Sequence, residues 1–272
     1  MAQEIELKLA LAEQGWRSLS RHPALREAAE PPHTQTLRNL YFDTVDLALR
    51  RQRVALRLRR AGRQWLQTVK CASSARAGLS SRPEWEQPFS GHFDFSRIED
   101  AALRSELEAL RDRGALSAVF DTDFERREWR FSVGGGDLLL MADRGHILAG
   151  GRRETISEIE LELAGAPVEA LLELAGRLAE TLPLRAESRS KAQRGYDLMA
   201  GAEPVPVRAG RSPIDPDGSA AAAFRAVALD CIAHYQANEH GALHSDAPEF
   251  IHQMRVALRR LRSALRVFAP AL

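Results

Sequence analysis

The chain of 272 residues is 44% apolar and 28% charged, which suits a folded core and excludes a disordered or fibrous protein. Its 38 basic and 37 acidic side chains leave a net charge of +1, so neither nucleic acid nor a membrane surface is expected as a partner. Cys71 and Cys231 lack the spacing of zinc ligands, and the first residues lack the apolar run of a signal peptide. We therefore predict a cytoplasmic protein without a zinc site or a disulfide framework.

Alternation of charged and apolar residues predicts the strands of the first and larger part of the chain. In the opening strand the charged residues at 4, 6 and 8 share one face and the apolar residues share the other. In chain order, the same pattern and the turns between segments predict strands over 4–9, 36–44, 54–60, 64–71, 82–89, 119–133, 138–143 and 158–163. Segments without that alternation predict helices over 13–29, 96–113 and 166–181. Small polar residues predict a loop over 72–81.

The composition changes after residue 202. Four prolines without periodicity predict a linker over 203–216, followed by helices over 217–240 and 248–268. On the last helix a 3-4 spacing predicts one apolar stripe, made of Ile251, Met254, Leu258, Leu261, Leu265 and Phe268. Basic residues follow one position later, at His252, Arg255, Arg259 and Arg262. Two helices cannot bury this stripe by themselves, so we expect the segment to be a fragment of a larger helical domain.

Like charges repeat on single strand faces. Glu84 and Glu86, and likewise Arg57 and Arg59, lie two positions apart, which is roughly 7 Å along a strand. The same spacing joins Glu4 to Glu6 and runs through 158, 160 and 162. A solvated outer face is the simple explanation for one strand, but repulsion of this kind calls for counter-charges. A sheet that curls until its charged faces meet inside a barrel supplies them.

The residue types indicate what such a cavity binds. Grouped carboxylates without histidine or cysteine suit a hard divalent cation such as Mg²⁺ or Mn²⁺. Arginines on the other walls suit a polyanion, because phosphate matches the guanidinium fork through two parallel hydrogen bonds. The pattern therefore predicts an α+β fold with a strand-lined cavity that binds metal and phosphate.

The motifs that carry these charges resemble the CYTH superfamily, also called triphosphate tunnel metalloenzymes. The resemblance covers about residues 1–200 and rests on an ordered set rather than on the opening ExExK motif alone. The set comprises EIELK at 4–8, YFDT at 41–44, LRLR at 56–59, TVK ending at Lys70, RPEWE at 82–86, TDFERREW at 122–129, MADRG at 141–145, EIELEL at 158–163 and SKAQRGY at 190–196. It implies an eight-stranded antiparallel β-barrel that forms a tunnel with flanking helices, followed by a short C-terminal helical segment.

The resemblance also implies roles for individual residues. The metal-binding acids are expected to be Glu4, Glu6, Asp143, Glu158, Glu160 and Glu162. The phosphate-binding bases are expected to be Lys8, Arg57, Arg59, Lys70, Arg126 and Lys191, of which Lys191, Arg126 and Lys70 are the candidates for catalysis. Glu84 and Glu86 are expected to support a second metal or to hold the bases. Arg194 is expected to be solvated or paired with neighbouring acids.

The tail has a resemblance of its own. Residues 251–265 (IHQMRVALRRLRSAL) are similar to the first signature of the CHAD domain, a helical module associated with polyphosphate. The implied organisation is a tunnel domain at 1–202, a linker at 203–216 and the first part of a CHAD-like domain, truncated, at 217–272. The basic residues that match the signature are His252, Arg255, Arg259 and Arg262.

The resemblance implies metal-dependent hydrolysis of inorganic triphosphate to pyrophosphate and phosphate. An adenylate cyclase or a thiamine triphosphatase of the same superfamily is the first alternative. Nothing in the sequence marks an adenine or thiazolium pocket, so a panel of substrates would separate these activities. A non-catalytic module that binds polyphosphate is the second. The expected partner is therefore inorganic triphosphate or polyphosphate, and the sequence leaves the oligomeric state open.

Overall fold

A computed structural model describes residues 3–71, 79–201 and 203–271, and the side chains of 3, 4, 79–82 and 271 lie outside that description. The chain divides into two compact units, Met1–Gly201 and Ala202–Leu272. The linker boundaries at 203–216 stay a prediction. Among the helices in the described ranges, none has both the length and the apolar composition needed to cross a membrane.

The first unit is built on one antiparallel sheet of nine strands, in the order β5-β4-β3-β2-β6-β7-β8-β1-β9. The strands are β1 (Gln3–Leu11), β2 (His33–Asp43), β3 (Val54–Ala61), β4 (Gln64–Cys71), β5 (Leu79–Pro88), β6 (Ser117–Val133), β7 (Gly136–Ala149), β8 (Arg152–Ala164) and β9 (Leu184–Ala186). Strand β1 pairs with β8 and also with β5, where Gln3 lies opposite Pro83 and Leu7 opposite Leu79. This second pairing brings the far end of the sheet back to its beginning.

The predicted antiparallel tunnel with flanking helices is confirmed, with one strand more than expected. The ninth strand, β9, pairs with Leu9–Leu11 of β1. Three residues are too few to show an alternating pattern, so the sequence contains no signal for it. Strands β7 and β8 extend well beyond the predicted 138–143 and 158–163, because their long hairpin pairs every residue from Leu138 opposite Leu163 to Ala149 opposite Arg152.

Two helices cover the outer, apolar face of the sheet. Helix α4 (Val168–Ala179) buries three leucines, at 171, 174 and 178, against the apolar residues of β1 and β8, such as Leu9 and Leu161. Helix α3 (Ala101–Asp112) begins where the Asp100 carboxylate accepts hydrogen bonds from the backbone N–H groups of its first turn. Because the apolar faces are used outside, the charged faces of the strands are left for the interior.

The helix predicted over 13–29 is wrong. The segment holds only the four-residue helix α1 (Trp16–Leu19) and two 3₁₀ turns, Glu13–Gly15 and Pro23–Glu27. Pro23 cannot donate a backbone hydrogen bond, and the His22 ring accepts one from the Ala24 N–H at 3.2 Å, which starts a new turn. A second short helix, α2 (Ala48–Arg51), lies between β2 and β3.

Helix α5 (Lys191–Ala200) packs on the inner face of the sheet rather than outside it. Tyr196 of this helix lies in one apolar cluster with Phe120, Ile147 and Ile156, which have the same strand parity as the charged tunnel residues. A Cβ atom on Gly195 would lie 2.2 Å from the Phe120 ring, so only glycine permits this approach. The helix therefore occupies part of the interior beside β6, β7 and β8.

The second unit contains helices α6 (Ala220–His244) and α7 (Pro248–Phe268), which confirms the predicted C-terminal helical segment. Val207, which precedes α6, is bound by a side chain of that helix. Asn238 donates a hydrogen bond to the Val207 carbonyl and accepts one from the Val207 N–H, both at 2.9 Å. Much of the predicted linker is thus held against the helices by side-chain hydrogen bonds, since Arg260 also donates to the Gly210 carbonyl.

The predicted apolar stripe on α7 is only partly correct. Ile251, Leu258 and Leu265 are 50–55% exposed, and the buried side is formed by Phe250, Gln253, Ala257 and Ala264. The buried face is displaced around the helix because the Phe250 ring packs against Gly241 of α6 and Gln253 contacts the His234 ring. A polar residue at a buried position hides this face from a hydrophobicity pattern.

Candidate active site

The interior of the first unit encloses a cavity of about 1170 Å³. Its lining comes from strands β1, β2, β3, β4, β5, β6 and β8 and from helices α2 and α5. Predicted site residues that line it are Glu6, Lys8, Arg57, Arg59, Lys70, Glu84, Glu86, Arg126, Glu160, Glu162 and Lys191. The curled sheet therefore brings together charged residues from both ends of the unit's sequence.

Strand register places the acids of one side of the cavity next to each other. Arg126 of β6 lies opposite Asp143 of β7, which in turn lies opposite Glu158 of β8. Directly opposed residues point to the same face, and Glu160 joins them because it is two positions along β8. One face of three adjacent strands thus carries the predicted acids without any contribution from loops.

We call Asp143, Glu158 and Glu160 the acidic wall. All three are buried, and one carboxylate oxygen from each lies within 4.8 Å of the others. The Lys191 ammonium contacts all three, at 2.7 Å from Asp143 Oδ2, at 3.1 Å from Glu160 Oε1 and in a closer contact with Glu158. Arg126 holds Asp143 with two parallel hydrogen bonds of 2.7 and 2.6 Å and Glu160 with a third of 2.6 Å.

Arg194 is more closely involved with the acidic wall than the sequence pattern predicts. It is paired with acids, as expected, but it is buried rather than solvated. Its guanidinium donates to Glu158 Oε2 and to Glu154 Oε1, both at 2.8 Å, and to the Thr155 carbonyl at 2.5 Å. Arg194 and Lys191 lie almost one helical turn apart on α5, a spacing that places both on one face and that was available in the sequence.

Strand β1 extends the charged lining. Lys8 Nζ lies 3.5 Å from both Glu6 Oε1 and Glu160 Oε1, and both Lys8 and Glu6 are buried. Glu162 lies one step further along β8, opposite Glu6, and is half-buried. The side chain of Glu4 lies outside the described residues, so its predicted role as a metal ligand stays a prediction.

Strands β3 and β4 carry the opposite side of the cavity, and we call Arg57, Arg59 and Lys70 the basic wall. Lys70 pairs closely with Glu84 at 2.7 Å. The arginines have looser ion pairs, since Arg57 Nη2 lies 3.8 Å from Glu84 and Arg59 Nη1 lies 3.6 Å from Glu86. The predicted supporting acids thus do lie beside the bases.

The two walls differ in their electrostatics. Burial disfavours the charged form of each group, but on the acidic wall the opposite charges outweigh it. The carboxylates around Lys191 raise the pKa of its ammonium, and those around Arg126 raise the pKa of its guanidinium. In the same way Lys191, Lys8 and Arg126 hold the pKa of Glu160 well below its usual value. These groups are therefore all charged in the folded protein.

On the basic wall the two arginines differ. Burial disfavours the Arg57 charge, but Tyr41, Glu84 and Glu86 outweigh it and raise the pKa of its guanidinium. Burial, together with the positive charges of Arg57 and Arg126, lowers the pKa of Arg59 to about 10. The Nε and Nη2 atoms of Arg57 are buried and have no hydrogen-bond partner among the residues that the structure describes. Buried donors without acceptors are costly, so this wall is suited to an anionic ligand that supplies them.

The acidic wall fits a divalent cation by the chemistry of its donors. Three buried carboxylates supply oxygen atoms in close proximity, which is the ligand type preferred by hard cations such as Mg²⁺ and Mn²⁺. Glu6 and Glu162 line the same cavity and bring further oxygens to it. The residues present therefore match the group that the sequence analysis expected.

Other residues around the cavity were not predicted. Arg50, Arg53 and Arg97 also line it. Asp43 accepts hydrogen bonds from the backbone of Leu49 and Arg50 and from the Tyr196 hydroxyl at 2.8 Å, so it ties α5 to the segment after β2. In the sequence, only the aspartate of the YFDT motif at 41–44 indicates this role.

The predicted tail residues His252, Arg255, Arg259 and Arg262 are exposed on α7 of the second unit, and their role stays a prediction.

Comparison with known proteins gives family matches for both units. A model of the CYTH domain matches residues 2–196, and a model of the CHAD domain matches residues 226–272. The inorganic triphosphatase of Haemophilus influenzae is 34% identical over 204 residues, which are 73% of this chain and 55% of that protein. The chain thus spans about half the length of that curated relative.

Comparison with solved structures gives further matches. One is described as a putative adenylyl cyclase from Hippeastrum that reveals a dominant triphosphatase activity. It matches with a TM-score of 0.55 and 24% identity over 73% of this chain and 96% of that one. A protein from Pyrococcus horikoshii OT3 matches with a TM-score of 0.47 and 20% identity over 71% of this chain and 98% of that one.

Proposed function

We propose, from the premise that this chain belongs to the CYTH family, that its tunnel hydrolyses inorganic triphosphate to pyrophosphate and phosphate with the help of a divalent cation. The observation that carries the proposal is a cavity lined both by the basic wall and by Glu160 of the acidic wall. The other two acids of that wall, Asp143 and Glu158, are fully buried and share the Lys191 ammonium with Glu160. The name of the Haemophilus influenzae relative supports the choice of inorganic triphosphate.

The basic wall supplies charge neutralisation. Phosphoryl transfer needs little covalent chemistry from a protein and is promoted by positioning and by stabilising the charge on the phosphate oxygens. Arg57 has two nitrogen atoms without a hydrogen-bond partner among the described residues, so it is placed to donate hydrogen bonds to a phosphate group. Arg59 and Lys70 lie on the same wall and add positive charge, whereas Lys8, Arg126 and Lys191 extend from the acidic side.

The acidic wall is the proposed cation site. Asp143, Glu158 and Glu160 would hold Mg²⁺ or Mn²⁺ through carboxylate oxygens, with Glu6 and Glu162 as further donors from the same cavity. When bound, such an ion polarises phosphate oxygens and offsets their negative charge. Two arginines hold the carboxylates in place by hydrogen bonds. Arg126 donates to Asp143, and Arg194 donates both to Glu158 and to the Thr155 carbonyl.

Release of phosphate tests the proposal. Tripolyphosphate, ATP and thiamine triphosphate are each incubated with the protein in the presence of Mg²⁺, of Mn²⁺ and of a chelator. We expect fast release from tripolyphosphate that needs either cation and stops with chelator. A matched variant, Arg60→Gln, changes an exposed arginine that lies next to Arg59 but faces outward, and its rate should equal that of the unchanged protein.

Other outcomes identify the alternatives. Preferential turnover of ATP would indicate an adenylate cyclase, and preferential turnover of thiamine triphosphate a thiamine triphosphatase. Tight binding of polyphosphate without turnover would indicate a binding module. We also propose a cytoplasmic location, because the two cysteines, Cys71 and Cys231, are both free thiols, as is usual in a reducing compartment.

A further inference from the structure

Lys191 occupies the centre of the candidate cation site. Among the described residues, its ammonium donates hydrogen bonds to Asp143, Glu158 and Glu160, the same three carboxylates that offer oxygens to a cation. The ammonium is buried and at the start of α5, whose Ser190 side chain caps the helix. The position of a divalent cation is thus taken by a positive charge that belongs to the chain.

The charges of the acidic wall are already balanced. Its three carboxylates are in contact with four cations, Lys191, Arg126, Arg194 and Lys8. Two of these are shared with acids outside the wall, Lys8 with Glu6 and Arg194 with Glu154. A divalent cation added to this neutral group would leave a large buried excess of positive charge, which is strongly unfavourable. Binding of the metal therefore requires that one of the resident cations leaves.

Lys191 is the resident cation that is able to leave. Arg126 is held by a two-bond fork to Asp143, and Arg194 is anchored by Glu154 and by the Thr155 carbonyl outside the wall. Within the described residues the Lys191 ammonium has no hydrogen bond or ion pair beyond the three carboxylates, and it also lies over the Phe124 ring, 5.0 Å from the ring centroid. Lys191 lines the cavity, and its ammonium is a point charge on a flexible stem. Moving it into the cavity breaks no further hydrogen bond in this part of the chain.

We propose that the Lys191 ammonium is a built-in occupant of the cation site and exchanges with the divalent cation, moving from the carboxylates to a phosphate group of the arriving triphosphate. The exchange rests on the proposed function, because it needs the cation site and the anion in one cavity. Its consequence is that metal alone binds weakly, since the displaced ammonium then has no anionic partner. Metal and triphosphate assist each other's binding, as coupled sites do.

Titration calorimetry with Mn²⁺ alone tests the exchange. Lys191→Met removes the competing charge, so we expect its dissociation constant for Mn²⁺ to fall by about tenfold relative to the unchanged protein, within the range typical of coupled sites. Lys191→Arg keeps the charge and should bind Mn²⁺ as weakly as the unchanged protein. Lys70→Met is the matched control, because it removes a tunnel lysine whose ion pair is with Glu84 instead.

Thermal unfolding provides a second readout. Without metal, Lys191→Met should unfold at a lower temperature because it leaves buried carboxylates without their counter-charge. Mn²⁺ should raise the unfolding temperature of Lys191→Met more than that of the unchanged protein, since a ligand that binds the folded state more tightly stabilises it more.

The results also separate the exchange from the proposed activity. Equal Mn²⁺ affinity of Lys191→Met and the unchanged protein would overturn the exchange, and absence of Mn²⁺ binding from both, even with imidotriphosphate, would overturn the cation site with it. Tighter binding by Lys191→Met in a protein that leaves tripolyphosphate intact would support the exchange and refute the proposed activity.

Discussion

The acidic wall reaches the cavity through Glu160 and the basic wall lines it with all three members, and the two walls are paired in different ways. Every carboxylate of the acidic wall is bound by at least two cations, with hydrogen bonds as short as 2.6 Å. The arginines of the basic wall are 3.6 to 3.8 Å from their nearest acids, and two buried nitrogen atoms of Arg57 have no hydrogen-bond partner among the described residues. The charged groups of the acidic wall satisfy one another with hydrogen bonds, whereas the basic wall has hydrogen-bond donors to offer to an anion.

This difference indicates how one fold serves both stability and binding. Removal of one member from a complete ionic group leaves a buried charge uncompensated, so the acidic wall is expected to control stability as well as activity. The basic wall carries surplus charge already, and a loss there should relieve repulsion while weakening the binding of anions.

Unfolding of two arginine variants gives the sharpest contrast between the walls. Arg126→Met leaves Asp143 and Glu160 short of a counter-charge, and we expect it to lower the free energy of unfolding by about 3–5 kcal/mol. Arg59→Met removes a charge that burial and the neighbouring Arg57 and Arg126 disfavour, and it should leave that free energy unchanged or raise it. Urea unfolding of both variants measures the effect, and equal losses would remove the distinction between the walls.

Substitution of Glu160 tests the acidic wall in catalysis. Glu160→Gln keeps the shape of the side chain but removes the charge that Lys8, Lys191 and Arg126 share. We expect kcat for tripolyphosphate to fall by about 10²–10³, as for loss of one preorganised electrostatic group. The control is Glu125→Gln, an exposed glutamate on β6, which should retain full activity. A rate for Glu160→Gln equal to that control would contradict the role of this wall.

Substitution of Arg57 tests the basic wall in binding. A charge-assisted hydrogen bond contributes about 1.5–3 kcal/mol, so Arg57→Met should raise KM for tripolyphosphate by roughly 10- to 100-fold. Since the acidic wall is intact in this variant, its affinity for Mn²⁺ should not change. Steady-state kinetics and metal titration together measure the two effects. A variant that loses metal affinity and keeps its KM would reverse the assignment of the walls.

Gly195, about one helical turn after Lys191 on α5, tests how the acidic wall is assembled. A Cβ atom on Gly195 would lie 2.2 Å from the Phe120 ring, so Gly195→Ala should move α5 and cost about 1–3 kcal/mol of stability. Gly176→Ala on α4 is the matched control, because nothing lies within 4 Å of its added Cβ and alanine favours the helix. Thermal unfolding should show a loss for the first variant and none for the second.

The pH dependence of stability separates the walls further. The cations around Glu160 hold its pKa well below the usual 4.5, so its stabilising contribution is complete above that pH and is lost as the pH falls through the lowered pKa. In that acid range this one proton contributes a slope of about 1.4 kcal/mol per pH unit. Glu160→Gln should lack this slope in urea unfolding between neutral pH and the acid range. An unchanged slope would show that Glu160 is not paired in the folded state.

Much of the tunnel could be predicted because strand alternation is a local property. Alternation assigned Glu158, Glu160, Arg57 and Arg59 to one kind of face, and the strand register then placed the acids side by side. The walls could be predicted as groups, but not their contacts, since these depend on which strands become neighbours around the sheet.

Other features depend on contacts between distant parts of the chain. The position of α5 inside the sheet follows from the close approach of Gly195 to Phe120, which no spacing within 190–200 reveals. The helix expected over 13–29 is interrupted by Pro23 and by the turn capped by His22. On α7 the buried face is set by packing against α6, so Gln253 is buried and Leu258 is exposed.

Identification of the products by phosphorus NMR tests the central claim most directly. Tripolyphosphate is incubated with the protein in Mg²⁺ and, in parallel, in chelator. The two-wall account predicts equal amounts of pyrophosphate and phosphate with Mg²⁺ and unchanged tripolyphosphate with chelator. Tripolyphosphate that stays intact in both, or that is cleaved equally in both, would contradict a cation-dependent triphosphatase.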